Sequence, residues 1–187
     1  MCVLDAIVES QSRTTTVGGP SSAGALAMTV VLGVDPGLKR VGYSVLEQTP
    51  SGIGLRCAGL IVTGPEVPLG DRLVDIFASV DEIIREHRPD ELVLERILFA
   101  KNVTSALLVA QAVGVIKLAG ARYGLQASEI GANQVKLALS GDGHASKAQM
   151  KKMVVLMLGL DRAPEPADVS DAIAVAYAHL SGQWSRV

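Results

Sequence analysis

The run Thr29 to Val34 (TVVLGV) is rich in β-branched and aliphatic residues and reads as a buried strand, stopped by the turn Asp35-Pro36-Gly37. Residues 41–48 (VGYSVLEQ) and 54–63 (GLRCAGLIVT) predict two more strands, separated by the turn at 49–52. From Leu69 the pattern changes period. Leu73, Ile76, Phe77, Val80, Ile83 and Ile84 form a helical stripe opposed by Asp75, Asp81, Glu82 and Glu86, and Pro89 closes the segment. Residues 91–95 (ELVLE) predict a short central strand. Residues 102–123 predict a helix apolar on more than one face and rich in alanine and glycine, either deeply buried or packed on both the core and a second subunit. A fifth strand is expected over 126–130, a basic helix after Gly143, and a last helix from about Ala167 to Ser181. The order β-β-β-α-β-α-β-α-α predicts an α/β domain: a mixed five-stranded sheet with helices on both faces.

Composition narrows the class. With 187 residues, 49% of them hydrophobic, one domain with an ample core is expected and a disordered chain is excluded. Seventeen basic against nineteen acidic residues give a net charge of −2, so any affinity for polyanions must come from local patches. Two cysteines, Cys2 and Cys57, make neither a disulfide scaffold nor a zinc site, and point to a reducing cytoplasm. The uncharged stretch 14–34 is too diluted by Gly, Pro, Ser and Thr to read as a membrane span, and Asp5 and Glu9 argue against a signal peptide. Residues 1–27 read as a flexible extension ahead of a domain over 28–187, with Met28 an alternative start.

Four carboxylates stand where chemistry could use them. Asp35 ends the first strand, in a setting that turn formation alone also explains. Glu95 ends the fourth; it either pairs with Arg96 or Lys101 or, if the two strands lie parallel and adjacent, joins Asp35 at the carboxyl edge of the sheet. Asp168 and Asp171 share one face of the last helix. Capping and dipole complementation suffice for Asp168, whereas a second carboxylate beside it is repulsive without a cation between them. Together the four would suit a hard divalent cation such as Mg²⁺. Lys136, Lys147, Lys151 and Lys152 make either a solvated surface or a phosphate-binding rim around that cluster.

The segments VLGVDPG (31–37), LVLERILFAKNVTSALLVAQAVGV (92–115), QVK (134–136), SKAQM (146–150) and PADVSDAIAVAYAH (166–179) resemble the RuvC family of Holliday-junction resolvases, from about Thr29 to His179. The resemblance implies a ribonuclease-H-like fold, a homodimer, and paired nicking of a four-way DNA junction with Mg²⁺ or Mn²⁺, two ions per site. It also implies a branch-migration helicase as partner and a cytoplasmic location. By position it assigns Asp35, Glu95, Asp168 and Asp171 as catalytic metal ligands, and Lys136 and Lys147 as phosphate contacts, with Lys151 beside them. Two positions depart from the family pattern: Ser146 replaces the usual acidic residue before Lys147, and Leu98 stands where a junction-wedging phenylalanine is usual, with Phe99 next. An actin-like kinase would share the Asp35-Pro36-Gly37 turn but needs a second lobe to enclose a nucleotide. A junction-binding module without activity would predict loss of some acidic positions, yet all four are present; an RNA-processing relative of the same fold would cleave single-stranded RNA better than four-way DNA junctions.

Overall fold

Three strands form an antiparallel meander: β1 (Thr29–Asp35), β2 (Arg40–Thr49) and β3 (Gly52–Val62). At the β2–β3 turn, Thr49 Oγ1 donates to the Gly52 carbonyl at 3.1 Å, and Gly52 takes φ 133°, a conformation open to glycine. Helix α1 (Leu69–His87) then crosses over to β4 (Glu91–Glu95), which lies parallel to β1. Helix α2 (Val103–Ala121) leads to β5 (Ala127–Ile130), parallel to β4, and α3 (Ala132–Ser140), α4 (Lys147–Leu158) and α5 (Ala167–Ser181) complete the chain. The computed structural model describes residues 28–97 and 103–182, so the expectations for 1–27, Leu98, Phe99 and Lys101 lie outside the described residues.

The sheet order is β3-β2-β1-β4-β5, five strands and mixed, as the pattern predicts. Side chains alternate across it. Val30, Leu32 and Val34 of β1, with Leu92 and Leu94 of β4, pack beneath α1 and α2. Val31 and Val93 face the opposite way, into a core built with α3, α4 and α5. Cys57 belongs to the first of these cores. Within α2, Thr104–Ala121 is long and apolar enough by composition to cross a membrane, yet Ala112, Ile116 and Ala119 are fully buried in the core.

The sequence pattern misses one element, the nine-residue α3. Its N-cap is Gly131, which has no side chain to mark a helix start; instead Gln134 reaches back and its Oε1 accepts from the Gly131 amide at 3.0 Å. By contrast α4 begins with a reciprocal cap. The Ser146 hydroxyl accepts from the Gln149 amide at 3.3 Å, and Gln149 Oε1 accepts from the Ser146 amide at 2.7 Å.

Candidate active site

Strand alternation and register decide where Asp35 and Glu95 go. On β1, residues 31, 33 and 35 share the α5 face; on β4, residues 91, 93 and 95 do. Val34 pairs with Leu94, so Asp35 and Glu95 lie one position further on, at neighbouring strand ends. Both are half-buried, and among the described residues neither has an ion pair. The simpler role for Glu95, pairing with Arg96, does not occur: Arg96 turns to Glu129 instead, at 3.7 Å.

Helix α5 brings the other two carboxylates down onto these strand ends, and two glycines make room for it. A Cβ on Gly33 would meet Ala176 Cβ at 2.6 Å and the Ala172 carbonyl at 2.7 Å; one on Gly42, opposite Asp35, would meet the Asp168 carbonyl at 2.0 Å. The Ser44 hydroxyl donates to the Ala172 carbonyl at 3.0 Å, a buried tie between β2 and the same helix. The first turn of α5 is thereby pressed against the carboxyl edge of β1. No side chain caps α5 at Pro166, so Asp168 is not a capping residue. It pairs with Arg40, the first residue of β2, while Asp171 lies 3.7 Å from Lys147 Nζ.

The charges are strongly coupled. Burial, then the charges of Glu95, Asp171 and Asp168, push Asp35 from its ordinary 3.8 up to about 7, with Lys147 opposing. Glu95 is raised by burial and by Asp171, and lowered less by Lys147 and Lys136. Asp171 is raised by burial and by Asp168 against the pull of Lys147 and, more weakly, Lys151. Thus all four carboxylates and all three lysines assigned from the sequence act on one another here. Lys136 comes from α3; Lys147 and Lys151 come from α4, whose Ser146 cap fixes the start of the helix. Lys151 is also held by Glu165 at 2.7 Å, and Lys152 stands exposed beside it.

An excess of clustered negative charge with oxygen-only donors suits a hard divalent ion. As they stand, no three acidic, His or Cys side chains among the described residues converge tightly enough to grip a single ion. Arg40 and Lys147 draw two of the four carboxylates to themselves. The donor chemistry therefore fits a metal site whose ligands must turn slightly inward.

Acidic Asp71, Asp75, Asp81, Glu82 and Glu86 lie on α1, across the sheet from α3 and α4, which carry Lys136, Lys147, Lys151 and Lys152. Sequence reasoning does not single out Arg40. The signal was the pair Lys39-Arg40 directly after the aspartate turn; which of the two would face α5 is set by the β2 register.

The family model for crossover junction endodeoxyribonuclease RuvC matches residues 31–179. A curated relative, the crossover junction endodeoxyribonuclease RuvC of Pelotomaculum thermopropionicum, is 43% identical over 158 residues, covering 84% of this chain and 96% of its own. The solved Thermus thermophilus RuvC structure superposes with TM-score 0.77 at 33% identity, covering 82% of this chain and 95% of its own. The T. thermophilus RuvC complex with Holliday junction substrate gives TM-score 0.76 at 30% identity, covering 82% and 94%.

Proposed function

The chain belongs to the RuvC family of crossover junction endodeoxyribonucleases, and on that premise we propose that Asp35, Glu95, Asp168 and Asp171 hold its catalytic ions while Lys136, Lys147 and Lys151 receive the substrate phosphates. The protein is a ribonuclease-H-like endonuclease that resolves Holliday junctions in DNA recombination and repair, and nucleases of this family are metal-dependent. The observation that carries the site assignment is the mutual coupling of four carboxylates at one sheet edge, two of them without any cationic partner among the described residues.

Two Mg²⁺ ions, or Mn²⁺, would supply charge neutralisation and Lewis-acid activation for phosphodiester hydrolysis. The side chains do the rest. Asp35, central to the cluster, faces all three other carboxylates and would be the ligand the ions depend on most. Lys147 is largely exposed yet tethered near Asp171, so its ammonium can donate to a phosphate oxygen where charge develops. Lys136 supports the same phosphate from the Glu95 side, and Lys151 continues the basic track along α4.

Paired nicks require two sites, and we assign the dimer contact to α2. Thr104, Leu107, Gln111, Gly114 and Leu118 are all exposed at spacings of three and four, a continuous stripe on the face opposite the core. Phe99, or Leu98 beside it, would wedge at the junction centre from the segment between β4 and α2. A branch-migration helicase complex would present the mobile junction, in the cytoplasm. Residues 1–27 carry no role in this reading, and the active domain spans 28–187.

The test is incubation with a mobile four-way junction, a matched linear duplex and single-stranded RNA, each with Mg²⁺ or with EDTA. Symmetric nicks in the junction alone, only with Mg²⁺, are expected. Preferential cleavage of the RNA, or cleavage in EDTA, would refute the assignment.

A further inference from the structure

Among the described residues, Arg40 is a cation at the site to which the assignment above gives no role. It begins β2, two residues from the Gly42 that faces Asp35, and its guanidinium pairs with Asp168 across 128 positions of sequence. Its side chain is 46% exposed against 28% for Asp168, so it approaches the cluster from the solvent side, where a DNA strand must arrive. We propose that Arg40 is an exchangeable counter-ion: it holds Asp168 in the metal-free enzyme, yields that carboxylate to a divalent ion, and then engages a backbone phosphate of the junction beside the cut. This rests on the metal-site assignment above.

The chemistry favours the exchange. Arg40 Nη2 donates to Asp168 Oδ2, a divalent ion taking that oxygen competes directly with this donor, and the ion carries the greater charge density. Once released, Arg40 has lost its only anionic partner among the described residues and stands at the rim of a site that is about to receive phosphate. A guanidinium matches a phosphate bidentately, which the neighbouring lysines cannot do. Metal binding and junction binding would then reinforce each other through one side chain, and that coupling is reciprocal. Lys39, exposed one residue earlier and in no ion pair among the described residues, has the same charge without the contact to Asp168.

The experiment uses the full chain and Arg40→Ala, Arg40→Gln and Lys39→Ala. Calorimetric titration with Mg²⁺ in the absence of DNA reads the competition. Junction affinity by gel shift, in Ca²⁺ and in EDTA, reads the release. Arg40→Ala and Arg40→Gln are expected to bind Mg²⁺ several-fold more tightly than the unaltered chain, with Lys39→Ala changed by less than about twofold. In Ca²⁺ the two Arg40 variants should lose roughly tenfold in junction affinity, and in EDTA less than about twofold, an interaction of the size typical of linked sites. Equal losses in Ca²⁺ and EDTA would make Arg40 a fixed phosphate contact and overturn the exchange. No loss in Ca²⁺ would reduce it to a partner of Asp168, and the same pattern for Lys39→Ala would reduce it to a general field effect; either overturns the proposal. If the unaltered chain binds no Mg²⁺ at all, the metal-site assignment falls first and the exchange with it.

Discussion

Replacing Asp35 by asparagine should stabilise the metal-free protein, and by an amount that depends on pH. Burial and three neighbouring carboxylates raise Asp35 from 3.8 to about 7 in the folded chain. A raised folded value means that the protonated form is the one the fold favours. The associated stability is fully present below about pH 4 and is lost as pH climbs through about 7. At 1.36 kcal/mol per decade the full loss is about 4 kcal/mol, complete near pH 8. Asparagine is a neutral near-isostere, so Asp35→Asn avoids that loss. For a domain of this size about 4 kcal/mol corresponds to roughly 10 °C in melting midpoint.

The assay is thermal unfolding in EDTA across pH 4–9 for the unaltered chain and Asp35→Asn. The two midpoints should nearly coincide at the acid end and separate by about 10 °C at pH 8. Glu95→Gln and Asp171→Asn should show the same sign, since both groups are raised too. Saturating Mg²⁺ should close the gap from the other side: at a hundredfold excess over its Kd an ion adds about 2.7 kcal/mol to the unaltered chain. A gap that is flat with pH, or an Asp35→Asn variant less stable at pH 8, would refute the reasoning.

Four further outcomes follow from the same geometry. Asp171→Asn should cut a four-way junction about 10²–10³-fold more slowly with affinity unchanged or slightly tighter, and Lys147→Ala should mainly slow the rate; cleavage and gel-shift titrations on one junction measure both. Gly42→Ala drives a Cβ into the Asp168 carbonyl, so it should cost about 1–3 kcal/mol in denaturant unfolding and depress cleavage more than Gly33→Ala, whose clash falls mid-helix against Ala172 and Ala176. Phe99→Ala should reduce junction opening, read by 2-aminopurine fluorescence at the crossover, while Leu98→Ala leaves opening intact; the reverse result would transfer the wedge to Leu98. A chain starting at Met28 should keep its cleavage rate and its melting midpoint within a few degrees.

What was legible in the sequence had a period or a fixed spacing behind it. Alternation on β1 and β4 forecast that Asp35 and Glu95 would share a face once the strands were taken as parallel neighbours, and the three-residue interval forecast the same for Asp168 and Asp171. Contacts set by register between distant segments were not legible. Arg40 meets Asp168 because β2 pairs with β1 so that Gly42 stands opposite Asp35, and because Gly42 lets α5 settle onto it. Neither condition has a local signature. Helix α3, which presents Lys136, was missed because it is short and Gly131 offers no cap side chain to recognise.

Two glutamates on one strand show how the fold separates structure from chemistry. Glu91 and Glu95 sit four apart on the same face of β4, and α5 lies over both. Near its C-terminal end α5 supplies His179 to Glu91, an ion pair when the imidazole is protonated. Near its N-terminal end it gives Glu95 only another carboxylate, Asp171, beside the buried Asp35. One helix thus supplies a partner at one end and withholds it at the other, and Arg96, the residue next to Glu95, is committed to Glu129. Leaving two half-buried carboxylates without an ion pair among the described residues, with Lys147 and Lys136 only partly offsetting their burial, destabilises the metal-free chain near neutral pH, which the packing of α5 on Gly33 and Gly42 must outweigh. That imbalance is what an external cation can relieve. It is the physical ground for proposing the carboxyl edge of β1 and β4 as the ion site.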